Sequence, residues 1–318
     1  MSSVGIINNV QAGRTRARLA ETKKLIARCD ADTREVGDLP SIVAATHAML
    51  DAGVDLIAIN GGDGTAQAAV TEIFRRGASP PQIAVLPGGT TNLTAHDLTG
   101  RLSLSAALDA LAHHSRRAKH ERPVTRRSLL AVQAGDAPRE FGFFLGAGAI
   151  LAGMQHFREH VGSRGFRDEL AAGLSLLRGL AGIAGGEHAW SRHETAVTTP
   201  DHREFAGRQN LVLATTLERL LLGLRPWWGS EPGPVHLTAL GHQPQSFLRV
   251  VLAILRGKAH ARATPERGYC SANVDSFVLE AEEGFALDGQ VFNPPTGAAV
   301  AVSATDALDF VCLGRQQP

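Results

Sequence analysis

Leu56-Ile57-Ala58-Ile59-Asn60-Gly61-Gly62-Asp63-Gly64-Thr65 is a short apolar run that ends in a glycine turn, and a helical pattern follows it to about Arg76. Four consecutive apolar residues, bounded by Gly53 on one side and the glycines on the other, read as a strand buried on both faces. The same unit recurs on either side of it. Val4–Ile7 ends in Asn8-Asn9-Val10-Gln11-Ala12-Gly13 before a helical pattern from Arg14 to Cys29. Ile83–Leu86 ends in Pro87-Gly88-Gly89-Thr90-Thr91-Asn92 and leads to the helical stretch Leu102–Ala112. Between the first two units lie the run Thr33–Val36 and a helix Ser41–Ala52, opened by Pro40 and closed by Gly53. Short apolar runs alternating with helices predict βαβ units, and so a parallel, doubly wound α/β sheet.

The texture changes near residue 115. Arg116, Arg117, Lys119, Arg122, Arg126 and Arg127 form a basic stretch, read as a solvated face with attraction to anionic lipid as the alternative, and Pro123 breaks any helix there. Beyond it the strand-like runs Ser128–Val132, Phe141–Leu145, Asn210–Ala214, Val235–Leu240 and Ser276–Leu279 outnumber the helical candidates Arg167–Ala181 and Gln245–Arg256. Strands in succession with few helices imply a mostly antiparallel second domain. The expected division is 1–118 for the α/β domain and 119–296 for the β-rich one. The strand-like tail, 297–318, is a candidate to return to the first.

Composition narrows the function. The chain has 318 residues, 44% of them hydrophobic and 20% charged, which is the balance of a globular protein. With 32 basic and 31 acidic residues the net charge is +1, so nucleic acid is not an expected partner. Cys29, Cys270 and Cys312 show no paired spacing, which argues against disulfides and structural zinc. His156 and His160 stand four apart without a third ligand, and a metal site there is disfavoured. No leader or spanning stretch is visible, so a cytoplasmic location is expected, with peripheral contact at the inner face of the membrane open to it. The adjacent Trp227 and Trp228 cannot both point the same way along a strand; they fit a lipid entrance or a partly buried contact. The sequence gives no view of oligomeric state.

In a doubly wound sheet, ligands bind beyond the carboxyl ends of the strands. The Asn9–Gly13 loop and both glycine turns fall there, so together they predict one nucleotide cleft. Glycines at 61, 62, 64, 88 and 89 let a backbone approach an anion without Cβ collision, and the helix after Gly64 offers free N–H groups. Thr65 suits an N-cap or a hydroxyl donor to phosphate. Asp63, a carboxylate beside phosphates, reads as magnesium-linked or substrate-positioning, against the plainer reading of a helix cap. Neither GxGxxG nor GxxxxGK[ST] is present at these strand ends.

Gly61-Gly62-Asp63-Gly64-Thr65 followed by Pro87-Gly88-Gly89-Thr90-Thr91-Asn92 resembles the catalytic domain of the diacylglycerol kinase and sphingosine kinase family of lipid kinases. Asn9-Val10-Gln11-Ala12-Gly13 resembles that family's Asn-Pro-x-Ser/Ala-Gly loop, and Leu287-Asp288-Gly289-Gln290 its Asp-Gly-Glu motif. The resemblance implies a nucleotide-binding α/β domain, a β-sandwich second domain, and transfer of the ATP γ-phosphate to a lipid hydroxyl, diacylglycerol-like or sphingoid, in the cleft between domains. It implies ATP and Mg²⁺ as cofactors. Asn9, Gly61, Gly62, Gly64, Thr65, Gly88, Gly89, Thr90 and Asn92 become nucleotide-binding candidates, and Asp63 and Asp288 catalytic candidates, with Asp288 the proton acceptor. Taken alone, Asp288-Gly289 would be a plain turn between two strands.

Three departures stand out. Leu93 follows Asn92 where the family has Asp, and Gln290 stands in place of glutamate. The family's Asp-Gly-x-Leu-Asp motif has no clean counterpart; the nearest segment, Ser230–His236, offers Glu231 as the candidate metal ligand. GGDGT also occurs in NAD kinases and, as a variant, in phosphofructokinases. The competing readings are therefore an NAD kinase-like enzyme acting on a soluble alcohol, and a catalytically impaired nucleotide- or lipid-binding protein. The glycine-punctuated segment Phe141–Met154 is the expected lining of an apolar acceptor pocket.

Overall fold

The computed structural model describes residues 3–77, 79–153, 195–295 and 297–314, and the chain divides into two compact units. The first comprises residues 1–128 with 306–318; the second comprises 129–305. The fold is α/β with a large antiparallel second unit, as the sequence pattern predicts.

In the first unit, strands β1 (Val4–Asn9), β3 (Leu56–Gly61) and β4 (Gln82–Pro87) are parallel neighbours and nearly wholly buried. Helices on both faces explain why these strands are continuously apolar. The edge strand β2 (Asp32–Val36) instead carries exposed charges, which protect an open edge from pairing. The six-stranded order is β2-β1-β3-β4-β17-β5, with β17 (Leu308–Val311) parallel to β4 and β5 (Val124–Arg127) antiparallel to β17. Helix α3 (Leu39–Asp51) starts from a capping box in which Asp38 accepts from the Ser41 N–H. Helix α4 (Asp63–Arg76) starts at Gly62 and stops at Gly77, whose left-handed φ of 62° favours glycine.

The helix expected over Arg14–Cys29 is broken. Arg18, at φ −133° and ψ 39°, separates α1 (Gly13–Ala17) from α2 (Leu19–Ile26). A short helix α5 (Leu93–Leu98) precedes α6 (Leu104–His114) and has no periodic signal of its own.

Among the described residues the second unit is one sheet of β6 (Leu130–Ala134), β7 (Glu140–Gly142), β8 (Phe144–Gly148), β9 (Thr195–Thr198), β10 (Arg208–Thr215), β11 (Val235–Gly241), β12 (Tyr269–Val274), β13 (Ser276–Ala281), β14 (Phe285–Leu287), β15 (Gln290–Phe292) and β16 (Val300–Ala304). Its main path is β15-β14-β8-β10-β9-β13-β16-β6-β7, with β11 paired to β10 and β12 to β11. Every pairing in it is antiparallel. The sandwich that the resemblance implies is realised as one sheet curled on itself. Leu130 and Val302 from one end of the strand order share a core with Leu145, Phe285 and Leu287 from the other. One described helix, α7 (Phe247–Ile254), packs Phe247, Val250 and Ile254 against Trp227 and Tyr269. Trp227 also stacks on the His236 ring at 4.6 Å. Among the described residues no helix is long and apolar enough to cross a membrane. The helix expected over Arg167–Ala181, together with His156 and His160, lies outside the described residues.

Two expectations change. The unit boundaries fall later than 118 and 296, because β5 pairs with β17 in the first sheet while β16 (Val300–Ala304) pairs with β13 and β6 in the second. Only the end of the tail returns. The basic stretch, moreover, is not uniformly solvated. The Arg122 side chain is 0% exposed; its Nη1 donates to Asp55 Oδ1 at 3.0 Å and to Gln82 Oε1 at 3.1 Å, with Nε and Nη2 on the carbonyls of His114 and Arg117.

Removing a buried cation leaves its partners desolvated and unpaired. Arg122→Met should therefore destabilise the first unit by about 3 kcal/mol, less than for a pair sealed on both sides because Asp55 keeps some solvent access. A urea titration of the variant, followed through the first unit's transition, is the measurement; an unchanged midpoint would show that these bonds contribute nothing net.

Candidate functional site

The parallel register sets the site. Asn8 lies beside Asn60 and Asn60 beside Leu86, while Gly61 lies beside Pro87, so three loops leave one sheet edge together. Polar side chains then tie these loops to one another. Asn9 Nδ2 donates to Thr65 Oγ1 at 2.9 Å, and Asn60 Nδ2 donates to Asn8 Oδ1 at 2.8 Å and Thr15 Oγ1 at 3.2 Å. The Gly88 carbonyl accepts the N–H groups of Arg14 and Thr15 at 3.0 and 3.1 Å. Thr65 thus serves the β1 loop; the helix N-cap is Gly62. Asn8, Thr15 and Asn60 were not singled out from sequence. The one available signal was a run of polar residues closing otherwise apolar strands.

The glycines sit where a side chain cannot. A Cβ on Gly89 would run into the Gly62 Cα, and one on Gly88 into Asn60 Oδ1 and Thr15 Oγ1. A Cβ on Gly13 would meet Thr90 Oγ1 at 2.5 Å. Gly62, Asp63, Gly64 and Thr90 stay partly exposed above this contact. Helix α4 starts there without any side-chain cap, leaving first-turn N–H groups available to an anion. The residues present therefore fit a phosphate chain.

Asp63 is bound in place. Its Oδ2 accepts the Leu93 N–H at 3.1 Å and its Oδ1 the Thr94 N–H at 2.9 Å, which ties the start of α5 to the start of α4. Asn92, at φ 54°, closes the second loop on itself: Oδ1 accepts from Gly89 N and Nδ2 donates to Gly89 O.

In the second unit, Asp288 (φ 46°) and Gly289 (φ 86°) form the two-residue turn between β14 (Phe285–Leu287) and β15 (Gln290–Phe292). The carboxylate does more than complete a turn. It is 6% exposed, and Oδ2 and Oδ1 accept the N–H groups of Phe143 and Phe144, each at 2.9 Å. Gly142 makes that approach possible, since a Cβ there would meet Asp288 Oδ2 at 2.6 Å. Gly146 and Gly148 are filled in the same way, by Ile150 and by the Asn210 backbone. The strand part of Phe141–Met154, as far as Gly148, is thus packed into the sheet and its glycines admit neighbours, while residues 149–153 turn helical. Met154 lies outside the described residues.

Glu231 borders a polar cavity of about 220 Å³ with Asp201, His202 and Asp275. Burial pushes its carboxyl up, but N–H donors of its own residue, Asn273 and Ser230, with the His202 charge, outweigh that and hold it below the usual range. Among the described residues no group of three or more His, Cys, Asp or Glu side chains is placed to hold a metal ion. The cysteines are buried and free, and burial, reinforced by Glu204 and Glu266, pushes the Cys270 thiol up to about 11.

Residues 3–121 match the family model described as the diacylglycerol kinase catalytic domain. The chain is similar to a solved structure described as "a putative diacylglycerol kinase" from Bacillus anthracis strain Sterne, with a TM-score of 0.70 and 15% identity over 98% of this chain and 97% of that one. A structure of a diacylglycerol kinase from the same strain gives a TM-score of 0.65 at 14% identity, again over 98% and 97%. At such identity these two likenesses show a shared fold. No curated protein matches the sequence.

If the contact of Gly62 with Gly89 shapes the cradle, Gly89→Ala should separate the two loops and weaken nucleotide binding by about tenfold or more, since the opposing atom is backbone and cannot rotate away. Gly62→Ala should be milder, because its Cβ would reach the Gly89 Cα only at 3.5 Å. Calorimetric titration with ATP on both variants checks the order; equal affinities would place the nucleotide elsewhere.

Proposed function

We propose that the protein is an ATP-dependent lipid kinase, a reading supported by the match of residues 3–121 to the diacylglycerol kinase catalytic-domain model. It transfers the γ-phosphate to the hydroxyl of a diacylglycerol-like or sphingoid lipid. The observation that carries the nucleotide half is the side-chain-free contact of Gly62 with Gly89 at the uncapped start of α4. Backbone N–H groups there receive phosphate oxygens, with the Asn9–Thr65 bond tying two of the loops together and Asn92 closing the third on itself. A magnesium ion would arrive with the nucleotide, held mainly by phosphate oxygens and water, the usual mode for this ion.

In this reaction the lipid hydroxyl oxygen bonds to the γ-phosphorus as the bond to the bridging oxygen breaks, ADP leaves, and the hydroxyl proton needs an acceptor. Asp288 is the proposed acceptor. Two N–H donors fix the orientation of its carboxylate. Asp63 is a positioning residue that holds Leu93 and Thr94 against the cradle.

A second reading, a nucleotide- or lipid-binding protein with impaired catalysis, is favoured by the same two carboxylates. Both have structural partners, and Gln290 contributes no charge beside Asp288. Turnover of labelled ATP against a panel of lipid alcohols separates the two readings. A panel without turnover, in a protein that still binds ATP, would favour the second.

Asp288→Asn keeps the shape but turns one acceptor into a donor facing a main-chain N–H, so a loss of stability of about 1–3 kcal/mol is expected on either reading. The discriminating quantity is kcat per folded molecule. It should fall roughly 10²–10⁴-fold if Asp288 takes the proton, with nucleotide affinity nearly unchanged. Wild-type turnover from the folded fraction would remove Asp288 from the chemistry. Asp63→Asn should instead weaken nucleotide binding, because the loop it anchors is freed.

A further inference from the structure

Helix α7 is apolar on two sides. Phe247, Val250 and Ile254 are buried, whereas Leu248 and Leu252, one turn apart on another face, are 73% and 57% exposed. Beside the end of this helix, the Arg225 N–H donates to the Leu255 carbonyl at 3.0 Å, which brings the 220–225 turn against it. That turn carries Leu222, 51% exposed and held at φ 58°. Three of the exposed large hydrophobic residues therefore belong to one neighbourhood, where isolated ones would be unremarkable.

The charge around them is one-sided. From residue 232 to 265 the sequence contains no Asp or Glu, yet it contains Arg249, Arg256, Lys258 and Arg262. Arg249, Arg256 and Lys258 are exposed, and none of the four has an ion pair among the described residues. The nearby cation that does have one is Arg225, 3.8 Å from Glu218.

We propose that the outer face of α7, with the Leu222 turn, is the surface by which this protein docks on an anionic lipid bilayer. The rationale is that exposed leucines accompanied by exposed cations match an interface of acyl chains beneath anionic headgroups. A second copy of the chain fits poorly, because a self-complementary contact would set Arg249, Arg256 and Lys258 against their own copies, and the nearby Glu218 already faces Arg225. Nucleic acid fits poorly too, since the centre of the patch is leucine. The buried face of α7 shares its core with Phe144, Ala149 and Ile150, and the Phe144 N–H binds Asp288. A bilayer on the outer face would thus lie about one helix diameter, ~10 Å, from the strand that holds the proposed proton acceptor. The proposal extends the lipid-kinase reading by assigning how the acceptor's membrane is met.

The test uses the full chain and sedimentation with vesicles of phosphatidylcholine, alone or mixed with phosphatidylglycerol. Wild type should bind the mixed vesicles, more weakly as salt is raised, and the neutral ones poorly. Leu248→Ser with Leu252→Ser should lower binding about tenfold or more, and such exposed positions should leave the melting temperature unchanged. Arg249→Gln, Arg256→Gln and Lys258→Gln together should cost about fivefold per cation and flatten the salt dependence. Leucine variants that bind like wild type would overturn the proposal. So would equal wild-type binding to both vesicles, or a wild-type dimer that the leucine variants dissolve. Vesicle binding is read without turnover, so it stands apart from the kinase reading. Where turnover exists, the leucine variants should lose it on vesicle-borne diacylglycerol and keep it on a short-chain diacylglycerol dissolved as monomer.

Discussion

Gly62 and Gly89 meet backbone to backbone, and the candidate site follows from that contact. It requires β3 and β4 to end in register, which their parallel pairing from Leu56 and Gln82 through Gly61 and Pro87 supplies. It also requires that neither loop carry a side chain at the point of contact. Once these conditions hold, the start of α4 is left uncapped, and an anion meets main-chain N–H groups without obstruction. The network of Asn8, Asn9, Thr15, Asn60 and Thr65 restrains the same contact from below, because buried polar atoms that lose their partners carry a desolvation cost.

Asp63 and Asp288 solve a local problem in the same way. Each presents both carboxylate oxygens to two consecutive main-chain N–H groups, Leu93 and Thr94 in one case, Phe143 and Phe144 in the other. Successive amides can reach one carboxylate only where the chain leaves regular pairing. At Asp63 this is the first turn of α5; at Asp288 it is the break between β7 (Glu140–Gly142) and β8 (Phe144–Gly148). The sequence shows two Asp-Gly pairs after apolar runs, and motif reading gives them chemical roles. The structure gives each a positioning role first, and any chemistry must be carried by what remains of their lone pairs.

How much was legible follows the same division. Strands β1, β3 and β4 were visible because burial on both faces forces uninterrupted apolar runs, and the glycine loops because a Cβ at Gly61, Gly88 or Gly89 would collide with its neighbours. The helix expected over Arg14–Cys29 hid its break, since nothing in the residue types marks Arg18 as the point where it turns. Arg122 was hidden for a different reason. Its neighbours Arg116, Arg117 and Lys119 suggest a solvated face, and its partners Asp55 and Gln82 are remote in sequence. The Asp288 carboxylate was equally opaque, because its donors lie 145 and 144 residues away. Long-range polar pairing leaves no periodic trace.

The glycines of the β8 segment show how one residue type misleads in two directions. At Gly89 the missing side chain admits another backbone and so builds an opening for a ligand. At Gly142, Gly146 and Gly148 it admits Asp288, Ile150 and the Asn210 backbone, and no opening results. Composition cannot separate these cases, because both begin as a glycine beside apolar residues. What separates them is the strand that lies opposite. Gly89 faces a loop that has just left its sheet, whereas Gly146 and Gly148 face β10 (Arg208–Thr215) inside an unbroken antiparallel ladder. Along β8 the sheet is therefore closed, and exposed leucines among the described residues of this unit lie on α7, on the far side of the core that β8 and α7 share.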